Sequence, residues 1–244
     1  MPGVTDFAWI GLIRHGESTG NVAREVAESG GHEVIDIAER DADVPLSEQG
    51  RRQAEALARW FAELPRAQWP DVVVSSPYLR ALDTARTALR GHPLMLVDER
   101  LRDRELGVLD LLTTHGVAAR YPEELARKRR LGKFYYRPPG GESWADVALR
   151  LRALLGDLER VHRGRRVLLF AHEVTAHLLR YLLECVPERD ILAIAHNTVV
   201  PNGSLTSWVR GERGFELEHE HVTDHLRAHG ARPTESEDEA AHSA

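Results

Sequence analysis

Short apolar runs alternate with longer amphipathic segments along most of this chain. The runs at Trp9–Ile13, Asp71–Val74, Leu94–Val97 and Arg166–Phe170 have the length of strands, and their middles consist mostly of leucine and β-branched residues. Such runs are typical of strands that are buried on both faces of a parallel sheet. Because strands and helices alternate, the sequence predicts an α/β fold, a three-layer αβα sandwich with a mainly parallel central sheet.

The segments between these runs carry the start and stop signals of helices. Ser47 and Ser143 each precede a stretch in which apolar residues recur at helical spacing, and a Leu-Pro pair ends the first stretch. The predicted helices lie, in chain order, at 47–64, at 77–89, from about 143 to 158, and at 174–183. The runs Thr206–Val209 and Phe215–Leu217, joined through glycines, predict a hairpin near the end of the chain.

Length and composition limit how the chain is organised. A chain of 244 residues with 42% hydrophobic residues suits one domain with a substantial core. We expect this domain to span 1–227, with a polar loop or short helix at 22–44 inserted after the first strand. Residues 228–244 are rich in Ala, Glu, Ser, His and Asp and have no apolar periodicity, which predicts a disordered acidic tail.

Charge, cysteine content and hydropathy indicate a broad class of protein. A net charge of −6 argues against a nucleic-acid-binding or membrane-surface protein. The one cysteine, Cys185, lies in an apolar run and is expected to be a small core residue in a reducing compartment. No apolar run reaches the ~18 residues of a membrane span, and the N-terminus lacks the pattern of a secretion signal. We therefore expect a cytoplasmic enzyme.

The segment from Leu12 to Asn21, LIRHGESTGN, contains the most informative functional motif. Arg14 and His15 stand where the first predicted strand breaks into a glycine-containing loop. The carboxyl ends of strands open into the crevice where α/β sheets bind ligands. Glycines there let backbone N–H groups approach an anion, and the fork of an arginine matches phosphoryl oxygens. Since a neutral histidine can attack phosphorus, the segment predicts phosphate chemistry.

Three more polar residues follow other predicted strands. Arg80 lies one helical turn beyond the second strand, and Glu105, in a charged turn after the third, is a candidate proton donor. His172 ends the buried fourth strand, where an unpaired polar group is costly. Taken singly, the three also fit a surface arginine, a solvated carboxylate and a core histidine. Together they favour one site at the carboxyl edge of the sheet.

Several motifs in this order resemble the histidine phosphatase superfamily, also called the phosphoglycerate mutase-like family. They are Arg14-His15-Gly16-Glu17 with Asn21, Pro45-Leu46-Ser47-Glu48-Gln49-Gly50, Ser75-Ser76-Pro77 with Arg80, Thr84-Ala85, and His172 after a late strand. The resemblance covers most of residues 8–210. It implies one domain and a two-step reaction without a metal ion, in which His15 takes the phosphoryl group and water or an acceptor hydroxyl removes it.

The resemblance also implies roles for individual residues. Glu105 is expected to protonate the leaving oxygen and then to deprotonate the attacking water. The phosphoryl oxygens are expected to be bound by Arg14, Arg80 and His172, with help from Asn21, Ser18 and Gly20.

The middle of the chain resembles the fructose-2,6-bisphosphatase branch of that family, through the Gly-Gly-Glu-Ser motif at 140–143 and the aromatic run before it. In that branch an arginine and a lysine hold a second phosphate of the sugar, and they match Arg129 and Lys133. Six basic residues between 127 and 137 fit either an anion-binding lid or a solvated helix face. Glu173 stands where that branch commonly has a glutamine and places a negative charge near the expected substrate, so we expect the sugar contacts to differ.

The preferred interpretation is a phosphomonoesterase that acts on a small phosphorylated metabolite, such as a sugar phosphate or bisphosphate. A phosphoryl-transferring mutase with the same site and a non-catalytic phospholigand-binding module are the alternatives. We expect no cofactor and no metal site, because glycine-rich nucleotide motifs are absent and the histidines at 219, 221, 225 and 229 match no metal-ligand spacing. The expected partner is the small substrate, with no nucleic acid or membrane, and a homodimer is left open.

Overall fold

The computed structural model describes residues 6–92 and 94–236. Its strands are β1 (Trp9–Arg14), β2 (Val72–Ser75), β3 (Met95–Val97), β4 (Arg166–Ala171), β5 (Leu205–Arg210) and β6 (Phe215–Val222). They form one sheet in the order β3-β2-β4-β1-β5-β6. The pairs β3–β2, β2–β4 and β4–β1 are parallel, whereas the pairs β1–β5 and β5–β6 at the other edge are antiparallel. The predicted mainly parallel sheet and the terminal hairpin are confirmed.

Helices cover both faces of this sheet. In the described part of the chain they are α1 (Thr19–Ser29), α2 (Glu48–Glu63), α3 (Leu79–Ala88), α4 (Thr114–Arg120), α5 (Pro122–Leu131), α6 (Trp144–His162), α7 (Glu173–Leu183), α8 (Glu188–Asn197) and α9 (Asp224–Ala228). Side chains of β1 alternate between two cores: Ile10 and Leu12 pack with α6, α7 and α8, whereas Trp9 and Ile13 pack with α2 and α3. This arrangement confirms the three-layer sandwich. No helix among these residues is long and apolar enough to cross a membrane.

Two serines begin helices as the sequence predicts. The Ser47 hydroxyl accepts a hydrogen bond from the backbone N–H of Gly50 at 3.0 Å, and the Ser143 hydroxyl accepts one from that of Asp146 at 3.1 Å. Each bond satisfies one of the N–H groups that the first turn of a helix leaves unpaired. The two caps therefore fix where α2 and α6 start.

Some elements differ from the sequence-based expectations. The helices α4, α5, α8 and α9 were not predicted, because each buries few side chains and therefore shows a weak apolar pattern. Within 22–44, α1 extends to Ser29 and the remainder is irregular apart from a short 3₁₀ turn at Asp41–Asp43. The expectation for Cys185 was wrong: α7 ends at Leu183, and the cysteine is exposed with a φ of 55°.

The segment after residue 227 also departs from its prediction. Ala231 is 3% exposed, and the side-chain amides of Gln49 and Gln53 donate to the carbonyl of Arg232 at 2.7 and 3.0 Å. The backbone N–H of Asn202 donates to the carbonyl of Thr234 at 2.9 Å. The expectation of a disordered tail is therefore corrected for 228–236. This segment is held by its backbone carbonyls, which accept hydrogen bonds from α2 and from Asn202 shortly before β5, and such contacts need no apolar pattern in the sequence. Residues 237–244 lie outside the described residues, and the domain boundary at 227 stays a prediction.

Candidate active site

Two histidines lie side by side at the carboxyl ends of neighbouring parallel strands. β1 pairs with β4 so that Arg14 is opposite Ala171, and the next residue in each segment is a histidine. The backbone N–H of His15 donates to the carbonyl of Ala171 at 3.0 Å. The ring centroids of His15 and His172 are 5.2 Å apart, and both side chains are fully buried. The register of the sheet thus brings these two sequence-predicted residues together.

The imidazole of His15 is held in one orientation by the backbone of the next residue. Its Nδ1 lies 2.8 Å from the carbonyl oxygen of Gly16. A carbonyl oxygen only accepts hydrogen bonds, so Nδ1 carries a proton, and in the neutral ring the lone pair is on Nε2. This neutral tautomer is the form in which a histidine attacks an electrophilic phosphorus.

His172 is contacted by polar groups at both ring nitrogens. Its Nε2 lies 2.9 Å from the hydroxyl of Ser76, and its Nδ1 lies 3.2 Å from Oδ2 of Asp103. Ser76 directly follows β2, which pairs with β4, so the sheet itself supplies this partner. The ring of Tyr78 packs edge-on at a centroid distance of 5.4 Å. These contacts fix the His172 ring beside that of His15.

The guanidinium of Arg80 lies between two carboxylates. Its Nη2 donates to Oδ2 of Asp103 at 2.9 Å, and its Nη1 lies 2.8 Å from Oδ1 of Asp41. The arginine is only 5% exposed. Because Asp103 contacts both Arg80 and His172, the three side chains form one polar cluster. A planar arginine fork in such a cluster is suited to bind phosphoryl oxygens.

Arg14 is fully buried and held by backbone carbonyls from two later segments. Its Nη1 donates to the carbonyl of Val200, and its Nη2 donates to that of Ser236 at 2.6 Å. Asn202 links the same segments, since its Nδ2 donates to the carbonyl of His15 at 3.2 Å and its Oδ1 accepts from the Ser236 hydroxyl at 3.0 Å. The last described residues of the chain therefore position Arg14.

The loop between β1 and α1 packs closely against the start of α2. A Cβ on Gly50 would lie 1.9 Å from the carbonyl oxygen of Glu17, so only glycine fits there. Ser18 caps α1 by accepting from the backbone N–H of Asn21 at 3.0 Å, and the Asn21 side chain accepts from the Ser18 backbone in return at 3.0 Å. This reciprocal cap sets the first turn of α1, whose N–H groups favour an anion, against the cleft.

Glu105 lies at the rim of the site. Its side chain is 48% exposed, and its Oε1 accepts a hydrogen bond from the Tyr78 hydroxyl at 2.8 Å. Burial, and then this bond, raise the pKa of Tyr78 above its usual value. Gly107 allows the turn that follows, because its φ is 56° and a Cβ would lie 2.2 Å from the carbonyl oxygen of Pro139. Asp103, two residues earlier, is only 6% exposed and lies inside the polar cluster.

A cleft opens beside this cluster. Its lining comes from Ser18 and α1, the 35–44 segment, Arg80 and the 103–111 segment, whereas His15, His172 and Arg14 are not among the lining residues. The sequence-predicted residues that line it are Ser18, Gly20, Asn21, Arg80 and Glu105. These residues and the buried His15, His172 and Arg14 are thus gathered at the same edge of the sheet.

Three predicted substrate-binding residues are placed differently. Arg129 is exposed on α5, and the ammonium of Lys133 lies 4.6 Å from the ring centroid of Trp144. Glu173 is half-buried as the first residue of α7, directly after His172. None of the three belongs to the described wall of the cleft. Their assignment to a second phosphate or to the sugar stays a prediction.

Sequence reasoning missed Asp103, Arg24 and Asn202. Asp103 stands in an Arg-Asp-Arg-Glu run, in which the sequence alone gives no means of telling which carboxylate faces inward. Arg24 follows Asn21 by three residues, so a helix from residue 19 would have placed both on one face. Asn202 precedes a glycine with a φ of 70° and shows no motif.

Comparison with known sequences identifies relatives of the whole region. The sequence model of the histidine phosphatase superfamily (branch 1) matches residues 10–223. A 2,3-bisphosphoglycerate-dependent phosphoglycerate mutase of Gloeobacter violaceus is 30% identical over 78% of this chain and 82% of its own. The 6-phosphofructo-2-kinase/fructose-2,6-bisphosphatase of Caenorhabditis elegans is 33% identical over 74% of this chain but only 34% of its own.

Solved structures with the same fold include phosphatases. A mycobacterial glucosyl-3-phosphoglycerate phosphatase, in a complex with VO3, superposes with a TM-score of 0.68 at 28% identity, covering 88% of this chain and 100% of that protein. A structure described as mycobacterial hydrolase 1 gives a TM-score of 0.69 at 28% identity, covering 88% of this chain and 99% of the other. The fold and the sequence thus point to the same group of proteins.

Proposed function

The chain belongs to the histidine phosphatase superfamily and is an enzyme of the histidine phosphatase type, and on that premise we propose that it hydrolyses a small phosphomonoester through a phosphohistidine on His15, without a metal ion. One observation carries the proposal. His15 is buried, its Nδ1 is bound to the Gly16 carbonyl at 2.8 Å, and His172 lies next to it at 5.2 Å. This geometry supports a nucleophile with its lone pair on Nε2.

In the first step, Nε2 of His15 forms a bond to phosphorus while the bond from phosphorus to the alcohol oxygen breaks. Negative charge on the equatorial phosphoryl oxygens is stabilised by positioned donors, which act mainly in the transition state. Arg80 and His172 are such donors, and Arg14 lies beside the nucleophile. Since these side chains supply positive charge and hydrogen bonds, the step requires no metal ion.

The leaving alcohol oxygen must receive a proton in that step. We assign this step to Asp103, which takes up a proton as the dianionic substrate binds, because its carboxyl group is buried and lines the cleft beside Arg80. Glu105, which the sequence indicated, lines the same cleft but is half-exposed and bound to Tyr78. We assign proton transfer to Asp103 and keep Glu105 as the alternative that mutagenesis decides.

In the second step, the carboxylate of Asp103 takes a proton from a water molecule, whose oxygen then attacks the phosphohistidine. The bond between phosphorus and Nε2 breaks, inorganic phosphate forms, and His15 returns to its neutral state. The same carboxyl group thus acts first as acid and then as base.

A phosphoryl-transferring mutase is the second candidate, because a relative with 30% identity is described as a phosphoglycerate mutase. In that reaction an acceptor hydroxyl, rather than water, would take the phosphoryl group from His15. Stimulation of 3- to 2-phosphoglycerate interconversion by a bisphosphoglycerate primer would favour the mutase over the phosphatase.

The test is a hydrolysis screen with wild type and His15→Ala, in the presence of a chelator. The panel contains sugar phosphates, phosphoglycerates, nucleotides and phosphopeptides, and His162→Ala on α6 serves as the matched control. We expect chelator-resistant hydrolysis that the His15 variant loses and the control keeps. Hydrolysis that survives in His15→Ala would contradict the proposal.

A further inference from the structure

We propose that Arg24 binds a second anionic group on the leaving part of the substrate, so that this enzyme prefers phosphomonoesters whose alcohol also carries a carboxylate or another phosphate. The inference rests on the proposed function and specifies its substrate class. It assigns the second-anion role to α1, and not to the basic segment 127–137 that the sequence indicated.

The position of Arg24 relative to the phosphate-binding end of the cleft is the first observation. Arg24 follows Asn21 by three residues on α1, so both lie on the same face of the helix. Both line the cleft that also contains Arg80 and Asp103. Because Arg24 and Arg80 line one cleft, we assign the leaving part of a substrate whose phosphoryl group is bound at Arg80 to the side of Arg24.

The hydrogen-bonding state of Arg24 is the second observation. Its Nη1 is buried, and it makes no hydrogen bond to any residue that the structure describes. Arg104, the arginine of the cleft wall that is not assigned to the phosphoryl group, donates through its Nε to the Glu142 carbonyl at 2.7 Å. A buried guanidinium N–H without an acceptor is costly, and an anionic ligand group offers the acceptor that it lacks.

The surroundings of Arg24 limit what the second group can be. The carboxyl of Asp110 lines the same cleft. Burial is the main cause that raises the pKa of Asp110, and the positive charge of Arg24 opposes that rise. Three apolar side chains, Ile35, Ile37 and Leu111, line the same cleft, and the backbone N–H of Ile35 donates to the Leu111 carbonyl at 2.9 Å. This mixed lining suits a short carbon skeleton that ends in an anion.

The basic segment offers a weaker second-anion site. Arg127 lies 3.2 Å from Oε1 of Glu124, and the Nε of Arg137 donates to Asp146 at 2.7 Å, so two of its charges have carboxylate partners. Lys133 packs on the Trp144 ring, and Arg129 is exposed. None of these four side chains lines the cleft.

The experiment compares substrates that differ only in the second anion: 3-phosphoglycerate against glycerol 3-phosphate, and fructose 1,6-bisphosphate against fructose 6-phosphate. For wild type we expect a higher kcat/KM for the anionic member of a pair. Arg24→Ala should reduce that preference by about 10- to 100-fold, mainly through KM, as for a lost hydrogen bond to a charged group. Arg24→Lys should restore part of it, and Asp110→Asn should increase it.

Arg152→Ala, which removes an exposed guanidinium from α6, is the matched control and should leave the preference unchanged. The pair with the larger effect distinguishes a carboxylate from a second phosphate. Equal losses of kcat/KM on both members of each pair, or a wild-type preference for the member without the second anion, would overturn the assignment of Arg24.

Failure of the proposed function gives a different result. If no member of the panel shows hydrolysis that depends on His15, the phosphatase is excluded while Arg24 is still testable. Calorimetric binding of 3-phosphoglycerate and glycerol 3-phosphate to His15→Ala, with and without Arg24→Ala, then decides the assignment. Binding of 3-phosphoglycerate that is insensitive to Arg24 would refute it.

Discussion

Asp103→Asn removes the ionisable group that we assign to proton transfer, while the side chain keeps its size and one acceptor oxygen. General acid–base catalysis contributes about 10²- to 10⁴-fold to a rate. We therefore expect kcat/KM for alkyl phosphates to fall by that amount. p-Nitrophenyl phosphate should lose much less, because its leaving group is stable as an anion and needs no proton.

The same substitution should leave the protein folded. Arg80 keeps its contacts with Asp41 at 2.7 and 2.8 Å, so its charge still has a carboxylate partner. The lost contribution is at most that of a hydrogen bond between charged groups, about 1.5–3 kcal/mol. Since each kcal/mol shifts the Tm of a chain of this size by about 2–4 °C, thermal melting separates this modest effect from the catalytic one.

Glu105→Gln is the matched comparison, because it makes the same chemical change two residues away. Glutamine can still accept from the Tyr78 hydroxyl, so we expect a loss of about tenfold or less, equivalent to one hydrogen bond of 0.5–1.5 kcal/mol. Steady-state kinetics on phosphates with a range of leaving groups measures both variants. If Glu105→Gln shows the strong leaving-group dependence and Asp103→Asn does not, the assignment is wrong and the role returns to Glu105.

Three other perturbations test the structure around the site. Gly50→Ala should lower the free energy of unfolding by about 1–3 kcal/mol, since the added Cβ would lie 1.9 Å from a backbone oxygen. Gly156→Ala in α6, where the Cβ would meet open space, should raise it by about 0.5–1 kcal/mol. Chemical denaturation measures both, and equal effects would refute the packing argument. In a chain that ends at Ala231, Arg14 no longer has the Ser236 carbonyl as a hydrogen-bond acceptor, and kcat/KM should fall about tenfold, as for one lost hydrogen bond to a charged group. A rise in activity would show instead that the removed segment competes with substrate. Burial lowers the pKa of His221 from 6.5 to about 4. On acidification the unfolded chain therefore takes up this proton before the folded one does, and the free energy of unfolding falls by up to about 3 kcal/mol between pH 6.5 and 4. His221→Gln should flatten that part of the pH profile of Tm, and an unchanged profile would contradict this.

The sheet, its flanking helices and the position of most of the candidate site could be predicted because local patterns determine them. Strand length, serine caps and polar residues at strand ends all point to the carboxyl edge of a parallel sheet. His15 and His172 were identified in this way, and the register of β1 and β4 then sets their separation of 5.2 Å between ring centroids.

The missed features depend on tertiary contacts that have no local pattern. Whether Asp103 or Glu105 turns inward is decided by contacts with Arg80 and Tyr78, which come from another segment. Likewise, the described end of the chain reaches Arg14 through a backbone carbonyl, and any residue type carries one. The role of the basic run around Arg129 stays a prediction for a related reason, since charge density alone does not say which side chains face the cleft.

The central claim is that the phosphoryl group passes through His15, and rapid chemical quenching of a single turnover tests it most directly. With substrate labelled in the phosphoryl group, wild type should show protein-bound label up to one per chain before steady state. That label should be labile in acid and stable in alkali, as for a bond between phosphorus and nitrogen, and should map to the peptide that contains His15. Label on another residue, or turnover by wild type with no protein-bound label, would contradict the account.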